Sequence, residues 1–441
     1  MNRNFTFKQM LFSVKRHAAL PCLVAALTLI ITIGASIIAG KNNAYMQVEH
    51  ITGDSSVLNG IQISGKIIDG YHKTSFSWEG SKVTNKTTIH PSVEMVTFYR
   101  YINGDIKQRI QDLAFSVSGS PYQREFLITK EKLKGFKTLQ RDEALVDIPI
   151  LADSYDSTFA NPLEYGVATI GDDVFFTLAT SKLYTGSNGI YKLGFKSTMP
   201  YMQDYPESEQ FVSFDLKPQG AALEKGINVL GLEAVNDKLI LILEQNNELH
   251  LRVFNAYGKQ LGKTIVPHFN LMDPNPNDAS SSEHKYNQLY EAFRNKEEQQ
   301  LILAFSSDHS IASKTYITLD LSQGATIVDK TTFSNTTEKM QEDYALYTGK
   351  RHAAFIKGKL YYVAEIKEII APEMRHIDQR QISHLLVYVY EKNKLVYEGE
   401  LMTNINDDRI MWKNFNQSSF SIDEREHRSF QSLNLRRQTN D

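Results

Sequence analysis

The chain has 441 residues, a formal net charge of −3 at pH 7 and one cysteine. A charge balance this close to neutral lacks the basic surface that nucleic-acid binders carry, so we expect no nucleic-acid partner. The single cysteine also excludes a domain held together by disulfide bonds.

Near the N-terminus, an unbroken apolar stretch predicts a membrane-spanning helix. Ala18 to Ala39 are 22 consecutive residues without a charge. At about 1.5 Å per residue such a helix is roughly 33 Å long, enough to cross a hydrocarbon core of about 30 Å. Four cationic residues precede the stretch and one follows it: Arg3, Lys8, Lys15 and Arg16, then Lys41. This asymmetry predicts a cytoplasmic segment 1–17 and an extracytoplasmic domain, hence a single-pass protein of the cell membrane.

A cleaved signal peptide is the alternative, because small residues occur between Ser36 and Gly40. Signal peptides have shorter apolar cores, of about 7–15 residues, so we favour a retained anchor. Cys22 lies near the start of the stretch, which argues against lipid attachment at an N-terminal cysteine. A bacterial envelope protein fits these features, because no cysteine remains outside the anchor.

Downstream of the anchor, the sequence predicts six strands rich in β-branched and aromatic residues. They are Met46 to Ile51, Gly60 to Ile68, Lys73 to Trp78, Val93 to Tyr101, Asp112 to Val117 and Arg124 to Thr129. Their spacing is irregular, and we expect about two small sheets from them. Trp78 is interpreted as a core or rim aromatic rather than as a sugar-stacking side chain.

From Val174 onward, a strongly apolar strand recurs at a near-constant interval. The four copies are Val174 to Leu178, Leu239 to Leu243, Leu301 to Phe305 and Leu360 to Ala364. Their first residues are 65, 62 and 59 positions apart. Polar turns such as Lys357-Gly358-Lys359 precede them and supply the positive φ that a tight hairpin needs. Further strands and turns follow each copy, so each unit is predicted to be a four-stranded antiparallel sheet.

Such a sheet has two apolar faces, and packing successive sheets face to face around an axis buries both. Over Leu163 to Met402 the pattern resembles bacterial membrane-anchored extracytoplasmic β-propeller-like proteins, at the level of architecture and without a specific family signature. The resemblance implies an all-β, propeller-like domain over 45–422 with about six blades, seven being the alternative. A large β-sandwich with long hairpins is the competing fold.

Two segments are candidates for closing the ring against the last blade. One is the strand Met46 to Ile51 next to the anchor, and the other is Ile410 to Ile422. After Asp423 the chain is charged and polar, so we expect 423–441 to be a flexible tail.

The sequence carries no recognisable catalytic motif. A nucleophile elbow, a phosphate-binding loop and a His-Glu-x-x-His zinc motif are all absent. The residues that come nearest to a metal-ligand set are Glu373, His376, Asp378 and His384, in or beside the predicted loop Lys367 to Gln381. Imidazole with carboxylate suits zinc or iron. A solvated, charged loop explains the same residues and is our preferred interpretation, so we expect no metal and no other cofactor.

These features favour a membrane-anchored binding, sensing or protein-interaction module over an enzyme. Three predicted loops share one position in their units: Ala179 to Gly189, Ser306 to Lys314 and Lys367 to Gln381. We expect an envelope protein or a small ligand to dock there. One alternative is an extracytoplasmic hydrolase or lyase with acids and histidines in the central tunnel. The other is an accessory subunit of a membrane complex, which would use the anchor helix as a contact.

Overall fold

A computed structural model describes most of the chain, and the described part is nearly all β-structure, as the sequence predicts. The described residues are 23–34, 46–68, 72–89, 109–110, 113–120, 122, 124–134, 137–152, 159–197, 205–217, 222, 226–271, 285–307, 313–334, 351–369, 381–403 and 429–438.

Fourteen strands and two short 3₁₀ helices, Ser55–Leu58 and Leu163–Gly166, precede residue 218. The strands are β1 Met46–Gly53, β2 Ile61–Ile68, β3 His72–Glu79, β4 Lys82–Ile89, β5 Arg109–Ile110, β6 Leu113–Ser118, β7 Glu125–Lys134, β8 Lys137–Asp147, β9 Ile150–Ala152, β10 Val167–Ile170, β11 Asp173–Phe176, β12 Tyr184–Lys192, β13 Lys196–Ser197 and β14 Glu209–Lys217.

A second set of strands follows at more regular intervals. They are β15 Asn228–Val235, β16 Lys238–Gln245, β17 Glu248–Asn255, β18 Gln260–Val266, β19 Asn270–Leu271, β20 Lys285–Asn295, β21 Gln300–Ser307, β22 Ser313–Asp320, β23 Thr326–Ser334, β24 Arg351–Ile356, β25 Lys359–Ile369, β26 Gln381–Glu391, β27 Lys394–Thr403 and β28 Ser429–Arg437. Five of the six strands predicted near the N-terminus are confirmed, and Val93 to Tyr101 lies outside the described residues.

Within the described residues, hydrogen bonding joins the strands into six sheets of four or five strands. Sheet 1 has the order β28-β2-β3-β4, and sheet 2 the order β13-β8-β7-β6-β5. Sheet 3 runs β10-β11-β12-β14, with β9 also paired to β12, and sheet 4 runs β15-β16-β17-β18. Sheet 5 runs β19-β20-β21-β22-β23, and sheet 6 runs β24-β25-β26-β27-β1. The pairs are antiparallel except for the short parallel pair of β19 with β20.

The turns between these strands use the backbone conformations that the sequence predicts. Lys357 and Gly358, between β24 and β25, have φ values of 50° and 77°. Asn236, between β15 and β16, has a φ of 54°. Positive φ at these positions lets the strands reverse within two residues, which sets the register of each hairpin.

Alternating side chains bury both faces of the central sheets. On β16, Leu239, Leu241 and Leu243 pack in the core shared with sheets 2 and 3. The intervening Ile240 and Ile242 pack in the core shared with sheet 5. The side chains of β21 alternate in the same way between the cores shared with sheets 4 and 6. Those of β25 alternate between the cores shared with sheets 5 and 1. A two-sheet sandwich leaves one face of each sheet to solvent, so this stacking of sheets in series favours the propeller-like array instead.

In sheets 3 to 6, the strands β10, β15, β20 and β24 are called the first strands, which leaves out the short β9 and β19 and the N-terminal β1. These first strands and β28 of sheet 1 contact one another. Strand β10 contacts β15, β15 contacts β20, β20 contacts β24, and β24 contacts β28. Sheets 3, 4, 5, 6 and 1 are therefore linked in series through one strand each, which is a propeller-like arrangement.

Both ends of the domain pair with strands that are distant in the sequence. Strand β1 pairs antiparallel with β27 of sheet 6, which confirms the predicted pairing of Met46 to Ile51 with the last blade. The other candidate, Ile410 to Ile422, lies outside the described residues. The prediction of a flexible tail over 423–441 is wrong for β28, which pairs along the full length of β2. Phe430 and Leu435 are buried on one face of β28, and two buried apolar residues in a polar segment are too few to stand out in the sequence.

Helix α1 comprises residues 23–34, inside the predicted span Ala18 to Ala39. The rest of that span, and the segment 1–17, lie outside the described residues. In the part of the chain that the structure describes, no helix combines the length and the apolar character needed to cross a membrane.

Candidate functional site

Charged side chains are buried where the first strands of sheets 4, 5 and 6 meet. Glu233 on β15 is 0% exposed, Glu291 on β20 is 5% exposed, and Arg351 on β24 is 7% exposed. A buried charge is destabilising unless it is paired and hydrogen-bonded, so these side chains mark a polar cluster inside an otherwise apolar interface.

The first arrangement, the Glu233 network, comprises Glu233, Tyr290, Arg294 and Tyr165. The Tyr290 hydroxyl donates to Glu233 Oε1 at 2.9 Å. Arg294 donates to Glu233 Oε2 through Nη2 at 2.6 Å and through Nε at 3.1 Å. Tyr165, on the 3₁₀ helix Leu163–Gly166, donates to the Tyr290 carbonyl oxygen at 3.2 Å. The network therefore ties the 3₁₀ helix to the first strands of two sheets.

The second arrangement, the Glu291 network, comprises Glu291, Lys314, Arg351, Tyr316 and Tyr362. Glu291 Oε1 accepts from Arg351 Nη1 at 3.0 Å and also from Lys314 Nζ. The rings of Tyr316 and Tyr362 lie beside these groups with their centroids 5.5 Å apart. Glu291, Lys314 and Tyr316 belong to sheet 5, whereas Arg351 and Tyr362 belong to sheet 6, so the network spans the interface of the two sheets.

The partners in both networks lie about one repeat apart in the sequence. Arg351 and Glu291 are 60 residues apart, and Arg294 and Glu233 are 61 apart. Tyr290 and Glu233 are 57 apart. Equivalent positions of neighbouring sheets meet across each interface, so the repeat interval predicts which residues touch. The sequence prediction missed these residues, although a glutamate inside an apolar strand, paired with a cation one repeat away, was the available signal.

Electrostatics keep Glu291 ionised. Burial by itself raises the pKa of Glu291, but the charges of Lys314 and Arg351 outweigh burial and leave the pKa below its usual value. The pKa of Tyr290 lies well above its usual value because of burial and the neighbouring Glu233 carboxylate. A general acid needs a raised carboxyl pKa, so Glu291 is suited to holding a cation rather than to donating a proton.

Two of the three predicted loops border the first strand of the next sheet. In Ala179 to Gly189, the Thr180 carbonyl accepts from the Val229 amide at 2.7 Å, at the start of β15. At the end of Ser306 to Lys314, Lys314 pairs with Glu291. The same carboxylate pairs with Arg351, the first residue of β24. These loops therefore occupy equivalent positions. The central part of each of the loops Ser306 to Lys314 and Lys367 to Gln381 lies outside the described residues.

The prediction of a loop over Ala179 to Gly189 is wrong from Tyr184 onward, because β12 begins at that residue. The loop part of this segment and the first residue of β12 carry buried hydroxyl groups. Thr180, Ser181 and Tyr184 are buried, and their hydroxyl oxygens have no hydrogen-bond partner among the described residues. Burial, reinforced by the nearby Tyr122 phenol, raises the pKa of Tyr184. Uncharged hydroxyls can both donate and accept, which gives this loop the capacity to hold a polar group.

The metal-like residues are not gathered into a site by the described structure. His384 is buried on β26, with Nδ1 3.0 Å from Glu400 Oε1. Glu373, His376 and Asp378 lie outside the described residues. Among the residues that the structure describes, no group of three or more His, Cys, Asp or Glu side chains is placed to hold a metal ion. Trp78, by contrast, is 1% exposed in the core between sheets 1 and 6, as expected.

A cleft that the sequence did not indicate lies on sheet 2. Its volume is about 500 Å³, and its lining residues are Ser118, Gly119, Arg124, Glu125, Leu127 and Leu145. It adjoins the connection between β6 and β7. Leu127 and Leu145, which pair across β7 and β8, lie on the face opposite the buried Phe126 and Val146. The cleft is therefore separate from the two charged networks.

Comparison with known proteins gives no family assignment. No protein-family model matches the chain, and no curated protein matches it. A solved protein from Lactobacillus plantarum shares 12% identity, covers 78% of this chain and 96% of its own, and has a TM-score of 0.26. A Bacteroides fragilis protein described as a 6-phosphogluconolactonase shares 9% identity, with 78% and 95% covered and a TM-score of 0.27. An apocarotenoid oxygenase mutant from Synechocystis shares 9% identity, with 80% and 92% covered and a TM-score of 0.28.

Proposed function

We propose that the protein is a single-pass membrane protein whose propeller-like domain lies outside the cytoplasm and acts as a binding or sensing module. Helix α1 carries the membrane part of the proposal. Seven of its apolar side chains are 50–67% exposed: Leu23, Val24, Leu27, Leu29, Ile30, Ile31 and Ile33. Fully burying a side chain of this size is worth about 1.5–3 kcal/mol, so a bilayer around the helix is strongly favoured over water.

The polar groups of the helix agree with this location. The Thr28 hydroxyl donates to the Val24 carbonyl at 2.8 Å, and the Thr32 hydroxyl donates to the Thr28 carbonyl at 2.6 Å. Both hydroxyls are thereby satisfied within the helix, as they must be in a hydrocarbon environment. The anchor leads into β1, so the domain is held close to the membrane surface.

The binding role is supported by the polar groups in two of the predicted loops. Loop Ala179 to Gly189 offers buried hydroxyls, and loop Ser306 to Lys314 ends in a buried cation. The carboxylates Glu233 and Glu291 are each held by cations, which leaves them poorly suited to acid–base hydrolysis. We therefore favour recognition of a partner or ligand over turnover of a substrate.

Cysteine labelling tests the topology. Cys22→Ala gives a cysteine-free chain, into which Ser322→Cys or Ser13→Cys is introduced. Ser322 lies in the exposed turn between β22 and β23, whereas Ser13 lies in the segment predicted to be cytoplasmic. A membrane-impermeant maleimide should label the Ser322→Cys chain in intact spheroplasts and the Ser13→Cys chain only after permeabilisation. Equal protection of both positions in intact spheroplasts would contradict the proposed topology.

Crosslinking from membranes tests the docking surface. Lys182→Glu changes the connection between β11 and β12, and Lys259→Glu changes the turn between β17 and β18. In antiparallel sheets these two connections lie at opposite ends, so the second variant is the matched control. A specific crosslinked partner should be lost with Lys182→Glu and kept with Lys259→Glu. Release of a soluble glycan or peptide product by the purified chain would instead favour the hydrolase alternative.

A further inference from the structure

The Glu291 network contains two basic side chains and one carboxylate. Lys314 and Arg351 both pair with Oε1 of the single carboxylate Glu291. The three side chains are nearly inaccessible: counting side-chain atoms alone, 5% of Lys314, 2% of Arg351 and 5% of Glu291 is exposed. With Lys314 and Arg351 both protonated, the single carboxylate leaves one excess positive charge inside the interface of sheets 5 and 6.

The neighbouring tyrosines do not neutralise this charge. The pKa of Tyr316 lies well above its usual value and that of Tyr362 is raised, in both cases chiefly because of burial. Both phenols are therefore uncharged at neutral pH. Among the described residues, Glu291 is the only carboxylate that forms an ion pair with Lys314 or Arg351. An uncompensated charge at this depth is strongly unfavourable, so a counter-ion would stabilise the interface.

Hydrogen-bond donors remain for such an ion. Arg351 Nη2 is buried and has no hydrogen-bond partner among the described residues. The Lys314 ammonium has three N–H groups, and within the same described part of the chain its one acceptor is Glu291. An anion within reach of both groups would accept from each of them. Glu291 Oε2 is also buried without a hydrogen-bond partner among the described residues, so the anion must lie apart from that oxygen.

We propose that the Glu291 network binds one small monovalent anion, for which chloride is the probe, between Arg351 Nη2 and Lys314 Nζ. One excess charge requires one negative charge, and a dianion would reverse the imbalance. An organic acid would need more room than side chains exposed by 5% or less provide. The bound anion would stabilise the interface of sheets 5 and 6 beside the loop Ser306 to Lys314.

The competing explanation is that Lys314 is deprotonated and the network is already neutral. Burial and Arg351 lower the pKa of Lys314, against the attraction of Glu291, and the net shift is downward. A neutral Lys314 has no need of a counter-ion. The two explanations therefore differ in whether an anion occupies the site.

Crystals of the full chain grown or soaked in sodium bromide decide between them. The proposal predicts an anomalous bromide peak within about 3.5 Å of both Arg351 Nη2 and Lys314 Nζ. Bromide peaks confined to the protein surface would overturn it.

Thermal unfolding supplies an independent solution measurement. At fixed pH and ionic strength, the melting temperature should be higher in sodium chloride than in sodium gluconate, and should rise with chloride concentration. Lys314→Met removes the excess charge and should abolish the difference. Lys359→Met breaks a more exposed ion pair with Glu391 and should leave the difference intact. Equal melting of the unmodified chain in both salts would contradict the proposal, and the bromide experiment decides alone if Lys314→Met does not fold.

Discussion

The C-terminal strand β28 provides the sharpest test of the fold. Phe430 on β28 is 1% exposed, and its ring meets that of Phe76 edge to face at 5.8 Å. Replacing a buried phenylalanine by alanine costs about 3–5 kcal/mol, of which the aromatic pair accounts for about 0.5–1.5 kcal/mol. We therefore expect Phe430→Ala to lower the free energy of unfolding by about 3–5 kcal/mol, a large part of the stability of an ordinary domain.

Urea unfolding of the full chain in detergent measures this change, with the fluorescence of Trp78 reporting on the same core. Ser432→Ala is the matched control, because Ser432 lies on the same strand but is exposed to solvent. The control should change stability by no more than about 0.5 kcal/mol. If Phe430→Ala were as silent as Ser432→Ala, β28 would not belong to sheet 1, and the segment would be the flexible tail that its polarity indicates.

Three further predictions concern the interior. Glu233→Ala removes the buried carboxylate that pairs with Arg294 and should lower the free energy of unfolding by about 3–5 kcal/mol. Tyr290→Phe removes one hydrogen bond to Glu233 and should lower it by about 1–3 kcal/mol. Denaturant titration of both variants measures the two values. The folded-state pKa of Glu291 lies below its ordinary value of 4.5, so its stabilisation is complete above about pH 4.5 and is lost as the pH falls through the folded-state pKa. Acid unfolding of the unmodified chain should therefore depend more steeply on pH below 4.5 than that of Glu291→Gln, and equal slopes would contradict the pairing. Gly166→Ala would place a Cβ 1.7 Å from the carbonyl oxygen of Thr177. Thermal unfolding should therefore show a stability lower by roughly 1–3 kcal/mol. An unchanged melting temperature would show that this close approach does not exist.

Most of the strands were predictable because the apolar runs and turn residues that define them lie close together in the sequence. An apolar run such as Leu239 to Leu243 must bury both of its faces, and the turns beside it carry residues that accept positive φ. The repeat interval follows from the same local patterns, because each unit needs about sixty residues for four strands and their connections. Propeller-like packing is then the arrangement that buries every face, and the two-sheet sandwich is disfavoured because the central sheets are buried on both faces.

The candidate site was harder to predict because its members are ordinary residues until the sheets pack. Glu291 on a strand is unremarkable by sequence, and its importance comes from Lys314 and Arg351, which approach from another strand and from another sheet. The candidate metal ligands, which include His384, are easier to notice in the sequence than in the structure. These residues look suggestive in sequence, yet His384 itself is buried beside Glu400 on the neighbouring strand β27.

Local sequence patterns were sufficient to predict most of the described strands, the turns, the repeat and the apolar segment around α1, since each depends on side chains within a few residues of one another. The place of β28 in sheet 1 depends on the folded chain, because its few apolar residues are stabilised by contacts with β2 and β3 hundreds of positions away. The tertiary structure also decided that Glu233 and Glu291 are buried, since a charge can leave water only where sheet packing brings its counter-charge to within hydrogen-bonding distance.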